Sequence, residues 1–148
     1  MSAQVSSTFF ESKDAFETFP TLKQKIIKAI PIKTMQQVNV AKLKGEDQSR
    51  EGMGDVPFRF GYGFDVNYTL EDGTWEKQDS VNVWNLKITS PGAYSLNFIF
   101  EKLFLSEGAE LYIFNPDGSM VYGPVTDAQN KSGETFLTDL VAGDEAVI

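Results

Sequence analysis

The chain has 148 residues, 41% of them hydrophobic and 13% aromatic, enough to build one folded domain with a sizeable core. Its formal charge of −8 disfavours binding to a nucleic-acid backbone. It contains no cysteine and no histidine, which excludes disulfides, thiolate chemistry, and the histidine-centred forms of general-base catalysis and metal binding.

The charge is unevenly spread. Residues 1–50 carry 8 basic and 5 acidic side chains, a net +3, whereas residues 51–148 carry 5 and 16, a net −11. A basic arm precedes an acidic body. No apolar run approaches the roughly 18 residues needed to span a bilayer. The start, Met1 to Gln4, has neither the charged nor the apolar region of a secretory signal.

Residues 1–20 are polar with scattered Phe9, Phe10, Phe16 and Phe19, and read as an extended arm with a short helical turn near Lys13–Thr18. Between Pro20 and Pro31, the positions of Leu22, Ile26, Ile27 and Ile30 make one apolar helical face, with Lys23, Lys25 and Lys28 outside it. This short amphipathic helix either packs on the body or offers a partner-contact surface. Residues 1–31 are therefore set apart from a β domain at 32–148.

Residues 32–43 suit a strand, and the charged, glycine-rich residues 44–56 a loop. The strictest alternation of the chain follows. Phe58, Phe60, Tyr62, Phe64, Val66, Tyr68 and Leu70 stand on one side, and Arg59, Gly61, Gly63, Asp65, Asn67 and Thr69 on the other, predicting a long strand. The two glycines suggest a bulge or the close approach of another backbone. Glu71-Asp72-Gly73 reads as a hairpin turn into a return strand at Trp75.

Val81 to Asn115 organises the rest. Trp84, Leu86 and Ile88 share a face, Ser90-Pro91-Gly92 breaks the run, and Tyr94, Leu96, Phe98 and Phe100 alternate with polar residues. Ser106-Glu107-Gly108 turns into a strand at Leu111–Phe114, and Asn115-Pro116-Asp117-Gly118 turns again before Met120–Val125. A loop at 127–133, a strand at 135–140 and a turn at 142–144 lead to Glu145–Ile148, which opens like a strand, so the domain is expected to be cut at its last strand. Turns every 8–12 residues between seven to nine strands predict an all-β fold. An antiparallel β-sandwich of jelly-roll or Greek-key type with one short N-terminal helix is expected.

Groups that could carry chemistry are sparse. Without histidine or a Gly-x-Ser-x-Gly elbow, serine has no general base beyond a lysine, and nothing marks such a pair. Asp65, Glu71, Asp72 and Glu76 are the nearest approach to paired carboxylates, and read more simply as solvated hairpin acids. Asn115, Asp117 and the Asp127–Asn130 loop could give oxygens to calcium, but no twelve-residue EF-hand loop is present and turn formation already explains them. Trp75, Tyr62 and Tyr122 could stack on sugar rings, whereas their alternating runs place them in the core. Asn67-Tyr68-Thr69 matches a glycosylation sequon, a short match that arises often by chance. No catalytic, cofactor or metal residue is assigned, and no cofactor is expected.

A family pattern lies on the turns. Trp84, Ser90-Pro91-Gly92-Ala93, Leu105-Ser106-Glu107-Gly108-Ala109 and Asp117-Gly118 stand where these features stand in the non-catalytic N-terminal region of secreted, trypsin-like bacterial serine endopeptidases, including lysyl-endopeptidase-like proteins. The chain resembles that region over residues 32–148, with Ser106 in place of the usual proline. The resemblance implies secretion and a β-sandwich pro-region or accessory domain. Its partner would be a protease catalytic domain in the same precursor. It supplies no catalytic residue. The competing expectation is a carbohydrate- or cell-surface-binding module of a secreted protein.

Overall fold

In the computed structural model, the residues described are 5–10, 15–19, 22, 29–51, 54, 57, 59–130 and 134–148. They form a mostly β structure with two short helices, α1 (Ala15–Thr18) and α2 (Val40–Arg50). Six strands make one mixed sheet: β1 (Ser7–Phe9), β2 (Ile32–Thr34), β5 (Lys87–Thr89), β8 (Leu111–Phe114), β9 (Met120–Val125) and β12 (Glu145–Val147). Their order is β1-β9-β8-β12-β5-β2. Neighbours run antiparallel except β2 and β5, which run parallel.

The remaining strands pair in twos. They are β3 (Thr74–Gln78) with β4 (Val81–Asn85), β6 (Ser95–Leu96) with β11 (Val141–Ala142), and β7 (Ile99–Phe100) with β10 (Phe136–Leu137). One extended sheet with three small ladders replaces the clear two-sheet sandwich expected from turn spacing. Nor is the helix content confined to the N-terminus.

The sheet is buried on both faces. On one, Ile88, Ile113, Met120, Tyr122, Val125, Ala146 and neighbouring Leu86, Val141 and Ile148 make the main core, against which Leu96, Phe98, Phe100, Leu105 and Phe136 pack. On the other, Phe114, Val121 and Val147 join Leu22 in a second cluster, with Phe10, Phe16, Phe19, Ile30 and Tyr112 against it. The alternation within β8 explains this: Leu111 and Ile113 go to one cluster, Tyr112 and Phe114 to the other.

Three turns position these strands. Ala93 N donates to Ser90 O at 3.0 Å, Ala109 N to Ser106 O at 2.9 Å, and Gly118 N to Asn115 O at 2.9 Å. Gly92 and Gly108 sit at φ 79° and 80°, the left-handed conformation that a type II turn needs at its third residue.

Several local expectations need correction. The strand expected over 32–43 stops at Thr34, and residues 40–50, expected to be strand end and loop, form α2. Asn39 caps that helix, its side chain accepting from Lys42 N at 2.9 Å. Helix-forming Ala41, Lys42, Leu43, Lys44, Glu46 and Gln48 outweigh Gly45, whose penalty is about 1 kcal/mol. The helix buries no residue, so its sequence lacked the apolar period that would have marked it.

The long strand expected over 58–70 does not form over its described residues, and Phe58 lies outside them. Residues 59–69 join no ladder, and Leu70–Asp72 make a short 3-10 turn capped by Thr69. The neighbouring hairpin is β3–β4, whose two-residue tip, Asp79–Ser80, holds Asp79 at φ 52°. The 94–100 run divides into β6 and β7. Opposite the break, three residues of the facing chain lie between paired positions against two on this one, a bulge between the Leu96–Val141 and Ile99–Leu137 pairs.

Candidate functional site

The hairpin acids do not converge. Asp72 belongs to a cap: its Oδ2 accepts from Thr69 N at 2.8 Å, and its Oδ1 lies 2.7 Å from Lys33 Nζ. The hydrogen bond from Lys33, followed by that from the Thr69 N–H, holds the Asp72 carboxyl below its ordinary range, so it stays ionised. Lys33 is raised in turn, first by that same hydrogen bond, and its ammonium stands 5.4 Å from the centre of the Tyr68 ring. Asp65, Glu71 and Glu76 are exposed. Asp72 therefore ties the 3-10 turn to β2 and is not poised as a proton donor.

The oxygen donors considered for calcium are engaged in turns. Asp117 Oδ1 accepts from both the backbone N–H and the hydroxyl of Ser119 at 2.9 Å. Asn115 accepts from Met120 N at 2.8 Å and donates to the Ser119 hydroxyl at 2.7 Å. In the 126–130 loop, Gln129 Oε1 accepts from the backbone and hydroxyl of Thr126. Asn130 is buried with its Oδ1 unpartnered, one oxygen without a coordination set around it. Among the described residues, no group of three or more Asp or Glu side chains is placed to hold a metal ion.

The aromatic candidates separate by position. Tyr122 is buried in the main core, where loss of solvation and the nearby Asp139 raise its phenol above the ordinary value. Trp75 is 56% exposed, in register with Trp84 across the β3–β4 ladder. Trp84 is held from behind: its indole N–H donates to Leu70 O at 2.9 Å, and its ring fills the place where a Gly73 side chain would begin. Tyr62 is also 56% exposed, with its ring 5.0 Å from Phe64 in an edge-on contact. Two of the three aromatics assigned to the core thus lie at the surface.

Of the expected contact helix, Leu22 is helical and 4% exposed, seated in the second cluster with Phe114, Val121 and Val147. Ile30 packs half-buried against the same cluster, while Ile26 and Ile27 lie outside the described residues. Phe10 meets Phe19 edge-on at 6.3 Å, and Phe16 meets Phe114 at 6.0 Å. Backbone pairing supports this packing, since β1 lies antiparallel on β9 with Ser7 opposite Tyr122. Tyr112 donates its hydroxyl to Glu110 at 3.1 Å. Burial, with the Glu110 charge beside it, pushes its phenol up to about 12.

Two surface features had no sequence signal assigned to them. Ile99 and Leu137, direct cross-strand partners in β7–β10, both face outward. Arg59 anchors the segment before Tyr62 to α2, with its guanidinium 3.0 Å from Glu46 and 3.2 Å from Asp47. Periodicity could not find that tether, because it depends on an unforeseen helix.

Compared with known proteins, the chain matches no protein-family model and no solved structure. Its functional reading therefore rests on surfaces and turns: an aromatic ribbon at 59–70 beside the Trp75 hairpin, and an arm laid across the second face of the sheet.

Proposed function

We propose that the chain is a non-catalytic pro-region or accessory domain of a secreted bacterial serine endopeptidase, assisting the folding of the protease domain or restraining its activity. The observation that carries this reading is the hydrogen-bonded formation of the turns on which the family resemblance rests. Ser90–Ala93, Ser106–Ala109 and Asn115–Gly118 are each closed by a backbone hydrogen bond. On this reading the six-stranded sheet is one layer of a jelly-roll or Greek-key sandwich, and the β6–β11 and β7–β10 ladders contribute to the other. The chain itself needs no cofactor, and its partner is the protease domain of the same precursor. Adding the purified chain in trans to that protease domain is expected to lower peptidase activity or raise refolding yield. If it does neither, the reading fails.

Exposure of Trp75 and Tyr62 favours a second reading, a module that binds carbohydrate at a cell surface. Polysaccharide pull-down with wild type and Trp75→Ala separates the two. Retention by a glycan, lost on removal of the indole, supports the module.

A further inference from the structure

The segment from Arg59 to Thr69 has the pattern of a strand and joins no ladder. Its even-numbered side chains remain largely at the surface: Phe60 is 96% exposed, Tyr62 56% and Val66 51%. The edge-on contact of Tyr62 with Phe64 fits an extended chain whose alternate rings share a side. Nothing lies within 4 Å of where a side chain would begin at Gly61 or Gly63. The result is an apolar-sided ribbon that belongs to no sheet.

We propose that this ribbon pairs with the same ribbon of a second copy of the chain, antiparallel about a two-fold axis at Tyr62. Length argues for a second copy. The terminal strands of the six-stranded sheet, β1 and β2, have three residues each and are too short to template the ribbon. An identical ribbon, centred on Tyr62, pairs with it over residues 59–65. Charge fixes the register: centred on Tyr62, Arg59 of each copy stands opposite Asp65 of the other.

The same register sets Phe60 opposite Phe64, Gly61 opposite Gly63, and Tyr62 opposite its own counterpart. Aromatic pairs then share one face, a favourable cross-strand arrangement. Arg59 can serve both contacts, since its bonds to Glu46 and Asp47 use two of its five N–H donors. The ribbon from 59 to 66 carries one positive and one negative side chain, so the overall charge of −8 is not concentrated there. The contact is isologous, as a two-fold dimer requires. It is smaller than the roughly 1,200 Å² of a standard interface, so the dimer is weak and concentration-dependent.

The cysteine-free sequence gives a direct test. In the intact chain, Tyr62→Cys places two thiols across the axis, within the roughly 4.4–6.8 Å Cα separation a disulfide accepts. Under mild oxidation it should cross-link to a species of twice the mass, while Tyr68→Cys, remote from its counterpart in this register, should not. Sedimentation equilibrium of the unmodified chain should show mass rising from monomer towards dimer with concentration. Gly63→Pro, which removes a ladder N–H while leaving an extended backbone allowed, should abolish that rise without altering the far-UV spectrum. A monomer at every concentration, equal cross-linking at positions 62 and 68, or a dimer indifferent to Gly63→Pro would overturn the proposal.

Discussion

Residues 111–125 and residues 59–70 are both rich in the apolar and aromatic residues of strands, yet one supplies two neighbouring strands of the sheet and the other joins none. The difference lies in the intervening side chains. In β8 both sets are apolar or aromatic, so either face of the strand can be buried, and both are. In the ribbon the intervening residues are Arg59, Gly61, Gly63, Asp65, Asn67 and Thr69, which offer no second apolar face. Alternation specifies which side of a strand is apolar, but not whether an edge is free to receive it. All six strands of the sheet come from other segments. The ribbon is left outside.

The comparison can be broken most strongly at Ile113, which is fully buried in the main core. Ile113→Ala should lower unfolding free energy in urea by about 4 kcal/mol, through lost burial and an unfilled cavity. Leu22→Ala tests whether the arm belongs to the fold. Its side chain is 4% exposed, so a loss of about 3 kcal/mol is expected, whereas an arm that merely rests on the body would show almost none.

Gly118→Ala should cost about 1–2 kcal/mol, because position 118 has φ +73° and a new side chain would run into the Phe16 ring. That variant probes turn and arm together, and restoring stability with a smaller residue at 16 would assign the clash. Tyr112→Phe has a pH signature. The phenol's folded value is raised to about 12, so its neutral form contributes stability fully below the unfolded value near 10, and loses it as pH climbs towards 12. Replacing it should flatten that part of the alkaline melting profile, with the Tyr122 phenol, raised in the same direction, supplying what remains. Tyr62→Ala lies at the other end of the scale. Because the ribbon joins no ladder within the chain, the monomer's stability should change by no more than about 0.5 kcal/mol.

Parts of the fold were legible where a turn joined two apolar runs. Leu111–Phe114 and Met120–Val125 are strands at the expected positions, joined through the Asn115–Gly118 turn. Elsewhere legibility failed, for a different reason at each place. Helix α2 had a capping asparagine and good helix formers but no buried stripe, since it lies on the surface. The ribbon had the stripe and a turn after it, yet it joins no ladder. The hairpin was expected at Asp72-Gly73, yet Asp72 went to a cap and Lys33, and the chain reversed at Asp79–Ser80. At the candidate surfaces, residue type indicated aromatic contacts, but assigning Tyr62 to the core required a strand that does not form, and Trp75 sits on a two-stranded ladder that leaves it exposed.

The sequence by itself determined the mostly β character, the turns at Gly92, Gly108 and Gly118, and the lack of any histidine or cysteine chemistry. These follow from local conformational preference and from composition, which need no knowledge of neighbours. Only the tertiary structure decided which strands met. It set β2 parallel to β5, placed β12 between β5 and β8, and laid Phe10, Phe16, Phe19 and Leu22 across a face shared by Phe114, Val121 and Val147. Those choices depend on competition among segments distant in the chain for the same apolar surface, and no local pattern records its outcome.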